Sequence, residues 1–177
     1  HIGDVRTEAK ENLITSMQIS ARRENGNPVI QEVELYFEYK LYRANHTTKL
    51  NAEHFEAFAS LNYPPLVESG VHLKINRSNL LKPPPGKTTV RVSMAMDTQI
   101  AVLRLFPGLN ARVLNAILQT KGLKVLILET YGAGNAPTDD WFLKALRKSI
   151  NEGLQIINVT QCPGGSVSMG QYETSQK

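Results

Sequence analysis

The sequence predicts an α/β protein with a parallel sheet in its carboxyl-terminal half. An almost unbroken apolar run at 123–128 indicates a strand covered on both faces. Helical apolar spacing flanks this run on both sides, and a second apolar strand is expected at 156–159. The alternation of strand, helix, strand, helix and strand favours parallel pairing through right-handed crossovers.

Two loops are expected at the carboxyl ends of these strands, at 131–137 and 160–166. Such ends meet at one rim, where open α/β sheets place their ligands. Gly132 and Gly134 allow a sharp turn there and a close approach of the backbone to a ligand. A dinucleotide fingerprint does not fit, because the third glycine of G-x-G-x-x-G would fall at Pro137.

Other elements follow from spacing, capping and breaker residues. They are a helix with Thr7 as N-cap and an apolar face of Ile14, Met17 and Ala21, a strand with Val33, Leu35 and Phe37, a short helix with Phe55 and Phe58, strands at 89–94 and 100–106, and a helix beginning near Asp139.

A proline-rich stretch at 82–87 interrupts the chain. Three consecutive prolines favour a stiff, extended connection. The stretch therefore predicts a first domain at 1–82, a linker at 83–88 and a second domain at 89–177.

Composition limits the class of protein. Of the 177 residues, 41% are hydrophobic, which is enough for a packed core. The net charge of +4 shows no basic stripe, so a nucleic-acid partner is not expected. No apolar run approaches the roughly 20 residues that span a bilayer. A single cysteine and four scattered histidines predict neither a disulfide nor a metal site, and they favour a reducing compartment.

Taken one at a time, the candidate site residues discussed below do not indicate a function. Lys49 is typical of a solvated surface lysine and Asn135 of a loop. Tyr172 and Glu173 are typical of an exposed tail, and Cys162 of a small buried residue.

Several blocks together resemble the bacterial type I (cytoplasmic) L-asparaginases of the asparaginase/glutaminase family. The blocks are, in order, 41–49 with 55–60, 105–108, 131–137, 158–162 and 169–173. The resemblance implies a two-domain α/β fold with parallel sheets and hydrolysis of L-asparagine to aspartate and ammonia by a threonine nucleophile. It also implies a cytoplasmic homodimer or homotetramer that needs no metal or organic cofactor.

The resemblance assigns roles to four residues. Lys49 matches the catalytic lysine, which lies beside a threonine and an aspartate and polarises or deprotonates the threonine hydroxyl. A desolvated lysine can act as such a base, because loss of water lowers the pKa of its amine. Asn135 matches the loop asparagine that one subunit offers to its neighbour's site. Tyr172 and Glu173 match the segment that meets the substrate's amino group.

Other parts of the family's machinery find no match in the sequence. The Thr-Gly-Gly-Thr segment that carries the nucleophile is not present, and the only adjacent Thr-Asp pair, at 138–139, opens a helix. The resemblance therefore predicts a fold that is incomplete at both ends, with an inactive isolated chain. The alternative is a non-catalytic interaction chain of the same fold, and the choice between asparagine and glutamine stays open.

A second, allosteric asparagine site is implied near Thr48 and Cys162. The arginine that serves this site in some type I enzymes is replaced here by Glu129. A carboxylate repels the carboxylate of the ligand, so this form of allosteric control is not expected to survive.

Overall fold

The computed structural model describes residues 2–5, 7–54, 56–83, 86, 89 and 91–168. The chain divides into two compact units, His1–Arg91 and Val92–Lys177. The linker predicted at 83–88 stays a prediction, because most of it lies outside the described residues.

The first unit combines one helix with short antiparallel strands. Its elements are α1 (Ala9–Ala21), β1 (Arg23–Glu24), β2 (Asn27–Pro28), β3 (Glu34–Phe37), β4 (Lys40–Arg43), β5 (Thr48–Lys49), β6 (Phe58–Ala59), β7 (Val67–Ser69) and β8 (Leu73–Ile75), with 3-10 turns at Ala44–His46 and Arg77–Asn79. β3, β4, β7 and β8 form a four-stranded sheet in that order, and β1 with β2 and β5 with β6 form separate pairs. All of these pairings are antiparallel. In the β1–β2, β3–β4 and β7–β8 pairs a short connection returns the chain beside itself.

The helix α1 of the first unit buries a different face from the one predicted. Ile19 is its buried residue, whereas Ile14 and Met17 are 48% and 63% exposed. Ile19 packs with Leu41, Leu66 and Val67 to form the core of the unit. Glu8 occupies the N-cap position, and the Thr7 hydroxyl accepts a bond from the backbone N–H of Ala9 at 3.1 Å. The helix is mostly polar, so tertiary contacts rather than apolar spacing decide which face is buried.

The predicted short helix around Phe58 is wrong. Phe58 lies in β6, directly opposite Lys49 of β5. Apolar residues three apart fit a helical face, but so short a segment does not distinguish helix from strand. Phe55, the other residue of the predicted helix, lies outside the described residues.

The second unit confirms the predicted parallel sheet. Its elements are β9 (Ile100–Arg104), α2 (Ala111–Leu118), β10 (Val125–Thr130), α3 (Asp140–Asn151) and β11 (Gln155–Thr160). The sheet order is β11-β10-β9, and both pairings are parallel. The helix α3 begins beside Asp139, as predicted, and Asp139 holds its N-cap position.

Both helices of the second unit pack on one face of the sheet. Leu103, Leu126 and Phe142 are at most 4% exposed within this core. On the opposite face, Val102 and Ile157 remain 58% and 49% exposed. Sequential parallel strands joined by right-handed crossovers place both helices on the same side.

The predicted strand at 89–94 is not formed by the described residues of that segment. Residues 91–94 are irregular, and Val92 and Met94 are 78% and 90% exposed. Alternating apolar residues predict a strand only when a neighbouring strand pairs with them, and here none of the described strands does so.

Candidate functional site

The carboxyl ends of β9, β10 and β11 form the rim expected from the sequence. Gln161, just after β11, donates its side-chain amide to the carbonyls of Leu105 at 2.6 Å and Glu129 at 2.8 Å. Its backbone N–H also bonds the carbonyl of Thr130 at 2.9 Å. One side chain therefore fixes the relative positions of the strand ends from which the loops depart.

The loop after β10 closes on itself. The backbone N–H of Tyr131 bonds the carbonyl of Asn135 at 2.9 Å, and the reverse bond measures 2.8 Å. Gly134 has a φ of +118°, which an L-amino acid side chain rarely tolerates. The backbone of Asn135 is thus ordered by its own loop, and its side chain is half-buried.

Hydroxyl groups connect this loop to the loop after β11. Thr160 donates to the carbonyl of Gly132 at 2.5 Å and accepts from the N–H of Cys162 at 3.0 Å. Below the rim, Thr130 is 1% exposed and donates to the Asn158 amide oxygen at 2.7 Å. The sequence signal for these hydroxyl groups is a threonine at the last position of β10 and of β11.

Lys49 lies in the first unit on the β5–β6 pair. Its side chain is exposed, and its ammonium nitrogen is 5.7 Å from the centroid of the Phe58 ring. The Phe58 ring in turn meets the edge of Phe37 at a centroid distance of 5.1 Å. A cation at this distance from an aromatic face is weakly attracted to it, so Phe58 helps to orient Lys49.

A buried ion pair supports the strand that leads towards Lys49. Glu32 and Arg43 are bonded through two nitrogens of the guanidinium, and their side chains are 4% and 11% exposed. Arg43 also donates to the carbonyl of Asn79 at 2.9 Å and lies 4.5 Å from the centroid of Tyr63. The guanidinium holds the pKa of the Glu32 carboxyl below its usual range. The sequence did not indicate this cluster, because its members are distant along the chain.

Glu34 is a second titratable group that the sequence did not indicate. Its Oε1 atom is buried and accepts no hydrogen bond from a described residue. Burial, helped by the nearby charge of Glu32, raises the pKa of the Glu34 carboxyl to about 7. Glu34 therefore changes charge near neutral pH.

The residues predicted for the site fall in different parts of the chain. Thr48 and Lys49 are neighbours in the first unit, and both are exposed. Asn135 and Cys162 lie on adjoining loops of the second unit, and Cys162 is exposed rather than buried as expected. Glu129 forms an ion pair with Arg104 at 3.9 Å. Tyr172 and Glu173 lie outside the described residues.

Two further observations concern metal binding and membrane-spanning helices. Among the residues that the structure describes, no three His, Cys, Asp or Glu side chains converge in a way that could hold a metal ion. None of the helices described is both long and apolar enough to cross a membrane.

Comparison with known proteins finds a matching family model for each of the two units. Residues 1–81 match the family model "Asparaginase, N-terminal", and residues 99–177 match "Glutaminase/Asparaginase C-terminal domain". The chain belongs to the asparaginase family. The resemblance seen in the sequence blocks is confirmed.

Individual members of the asparaginase family and solved structures agree. The chain is 38% identical to L-asparaginase 1 of Escherichia coli K12 over 173 residues, which cover 98% of this chain and 49% of that protein. It is also 38% identical to the 60 kDa lysophospholipase of Mus musculus over 162 residues, covering 92% of the chain and 28% of the relative. L-asparaginase I of Vibrio cholerae superposes with a TM-score of 0.82 at 31% identity, covering 98% and 50% of the two chains.

These matches define the extent of the similarity. The chain spans about half the length of L-asparaginase 1, the first of these curated relatives. The predicted asparaginase-like α/β fold is confirmed, since the superposition includes nearly all of this chain.

Proposed function

We propose that this chain contributes to an L-asparagine amidohydrolase, which converts asparagine and water to aspartate and ammonia. The observation that supports this most is the match of both asparaginase family models, in order, to the two units. The 38% identity to an L-asparaginase over 98% of the chain points to the same reaction.

The proposed chemistry uses a threonine nucleophile. Its hydroxyl oxygen attacks the side-chain amide carbon of asparagine, ammonia leaves, and water then releases aspartate from the acyl-enzyme. We assign to Lys49 the transfer of the threonine proton. Lys49 is exposed in this chain, so the threonine, the substrate or another segment must remove water from it for this role.

Asn135 is proposed to reach the active site of a neighbouring subunit. Its loop is ordered by the reciprocal bonds with Tyr131 and by the Thr160 hydroxyl, so its side chain is presented from a fixed backbone. Tyr172 and Glu173 are proposed to meet the substrate's amino group. The role proposed for Asn135 requires a homodimer or homotetramer. We also propose that the protein is cytoplasmic and works without a cofactor.

Control by a second asparagine site at Thr48 and Cys162 is not favoured. Glu129 stands where a ligand-binding arginine is expected, and it already pairs with Arg104. Its carboxylate repels an amino-acid carboxylate, so we expect binding at this second site to be weak.

The proposal is tested by ammonia release from L-asparagine and from L-glutamine. The protein expressed from its complete reading frame is expected to release ammonia from asparagine, whereas the 177-residue chain alone is expected to release none. Absence of ammonia from both substrates with the complete protein would instead favour a non-catalytic interaction chain.

A further inference from the structure

Asn25 and Gly26 form the tip of the β1–β2 hairpin. Glu24 pairs with Asn27 across the hairpin, so these two residues alone make the loop between the strands. Their φ angles of +49° and +80° are both positive, as in a type I′ turn, for which Asn-Gly is a preferred sequence. Asn25 is also the only asparagine of the sequence that a glycine follows.

The side chain of Asn25 and the backbone of Gly26 face solvent. Both residues are exposed, and a Cβ atom added at Gly26 would meet nothing within 4 Å apart from the adjoining residues. Neither the Asn25 amide nor the Gly26 N–H forms a hydrogen bond with a described residue. Asn51 and Asn110, by contrast, each accept two backbone N–H bonds through the side-chain oxygen, which fixes their amides.

The hairpin that carries this pair is weakly held. Each of its strands has two residues, and all four are exposed. The Arg77 guanidinium bonds the Glu24 carboxylate through two nitrogens, but both side chains are exposed, and such surface ion pairs contribute little to stability. A segment with so few buried contacts opens at low free energy, which lets the Gly26 nitrogen leave the turn and approach the Asn25 side chain.

We propose that Asn25 is a site of spontaneous deamidation. The backbone nitrogen of Gly26 attacks the Cγ carbon of Asn25, a C–N bond forms, and the bond from Cγ to the amide nitrogen breaks. The leaving nitrogen takes up the proton of the Gly26 N–H and departs as ammonia, which leaves a five-membered succinimide ring. Water then opens either carbonyl–nitrogen bond of the ring, so the products are aspartate and β-linked isoaspartate. Glycine permits the attack, because no Cβ atom crowds its nitrogen.

The isoaspartate product does not fit this hairpin. Its β-linkage adds one methylene group to the main chain between Glu24 and Gly26, and a type I′ turn has no room for a longer loop. Since loop length and turn type set the register of a hairpin, the pairing of Glu24 with Asn27 is lost. Deamidation therefore opens the hairpin and leaves the core of the first unit intact, because no residue of the hairpin belongs to that core.

The test is peptide mapping by mass spectrometry of the protein from the complete reading frame. It is incubated at mildly alkaline pH, where hydroxide removes the N–H proton more readily, in heavy-oxygen water without free asparagine. Conversion at Asn25 is expected to be at least about tenfold faster than at the exposed Asn151, which Glu152 follows, with isoaspartate and aspartate both labelled by the solvent.

Gly26→Ala is expected to slow conversion at Asn25 about tenfold, because the added methyl group shields the attacking nitrogen. Alanine at a φ of +80° also strains the turn, so a slower reaction cannot come from a more stable hairpin. Gly70→Ala, at an exposed glycine between β7 and β8, is the matched control and should leave the rate at Asn25 unchanged.

Three results would overturn the proposal: conversion at Asn25 no faster than at Asn151, equal rates in Gly26→Ala and the parent protein, or aspartate as the sole product. The last result would mean direct hydrolysis of the amide without a ring. The outcome is independent of the proposed asparagine hydrolysis, because the reaction takes place within one chain and no substrate is added.

Discussion

The hydroxyl of Thr160 bonds the carbonyl of Gly132 at 2.5 Å, so one side chain joins the two loops at the rim of the parallel sheet. The same oxygen accepts a bond from the N–H of Cys162 at 3.0 Å. Since Gly132 precedes Asn135 by three residues, this hydroxyl stabilises the loop that presents the proposed site residue.

Thr160→Val is expected to destabilise the second unit by about 0.5–1.5 kcal/mol. Valine keeps the shape of threonine but leaves a carbonyl and an N–H without their partner. Urea unfolding followed by the fluorescence of Trp141, the single tryptophan, measures this unit. Thr138→Val, at an exposed loop position, is the control, and an equal effect of both substitutions would show that the hydroxyl bond contributes nothing.

Glu34→Gln is expected to stabilise the first unit at about pH 8 and to have little effect at about pH 5. The folded protein raises the pKa of Glu34 from 4.5 to about 7. Between these values the folded state binds more protons than the unfolded state, so the stability due to this group falls as the pH rises. We expect a gain of about 1–2 kcal/mol at the higher pH, after allowance for partial exposure.

Amide hydrogen exchange of β3 and β4 at the two pH values measures this difference. Glu53→Gln, at an exposed position of the same unit, serves as the control for loss of a carboxylate. A gain for Glu34→Gln that is the same at both pH values would contradict the assigned pKa.

Arg43→Met is expected to lower the melting temperature of the first unit far more than Arg77→Met. Arg43 neutralises Glu32, whose side chain is 4% exposed, and its loss leaves a buried carboxylate without a partner. Arg77 pairs with Glu24 at the surface, where both side chains are about half exposed or more, at 59% and 42%. Equal shifts in thermal unfolding followed by circular dichroism would show that burial of the first pair does not matter.

The second unit could be predicted from the sequence because its signals are local and consistent. The apolar run at 123–128 marks the strand β10, Asp139 begins a helix, and Gly134 takes a backbone conformation that favours glycine. The expected cover on both faces of this strand is wrong, because both helices pack on one face and β10 is only half-buried on the other. Periodicity, capping and turn chemistry agree there, and such agreement makes a prediction reliable.

The first unit could be predicted less well, for physical reasons. Its strands are two to four residues long, so Phe58 fitted a helix as well as a strand. The burial of Ile19 and the pairing of Glu32 with Arg43 depend on contacts between residues distant in the chain. Local patterns contain no information on such contacts. The raised pKa of Glu34 follows from contacts of this kind, so local patterns do not predict it either.

The role proposed for Asn135 between subunits predicts complementation. Asn135→Ala and Lys49→Met proteins, each expressed from the complete reading frame and inactive alone, are mixed, dissociated and reassembled. Each hybrid dimer has one site with both residues intact, so about a quarter of the wild-type sites are expected to recover if subunits mix at random. Hybrids verified by mass that stay inactive would place Asn135 within its own subunit's site or outside catalysis.

The role of Lys49 is tested most directly by steady-state kinetics of Lys49→Met with L-asparagine. In the protein from the complete reading frame, we expect kcat to fall on the order of 10²–10⁴-fold with little change in KM, as for a group that transfers a proton. Lys74→Met, at a lysine whose side chain is 79% exposed, should keep the parent's kcat. A Lys49→Met protein with the same kcat as Lys74→Met would contradict the assignment of Lys49 to catalysis.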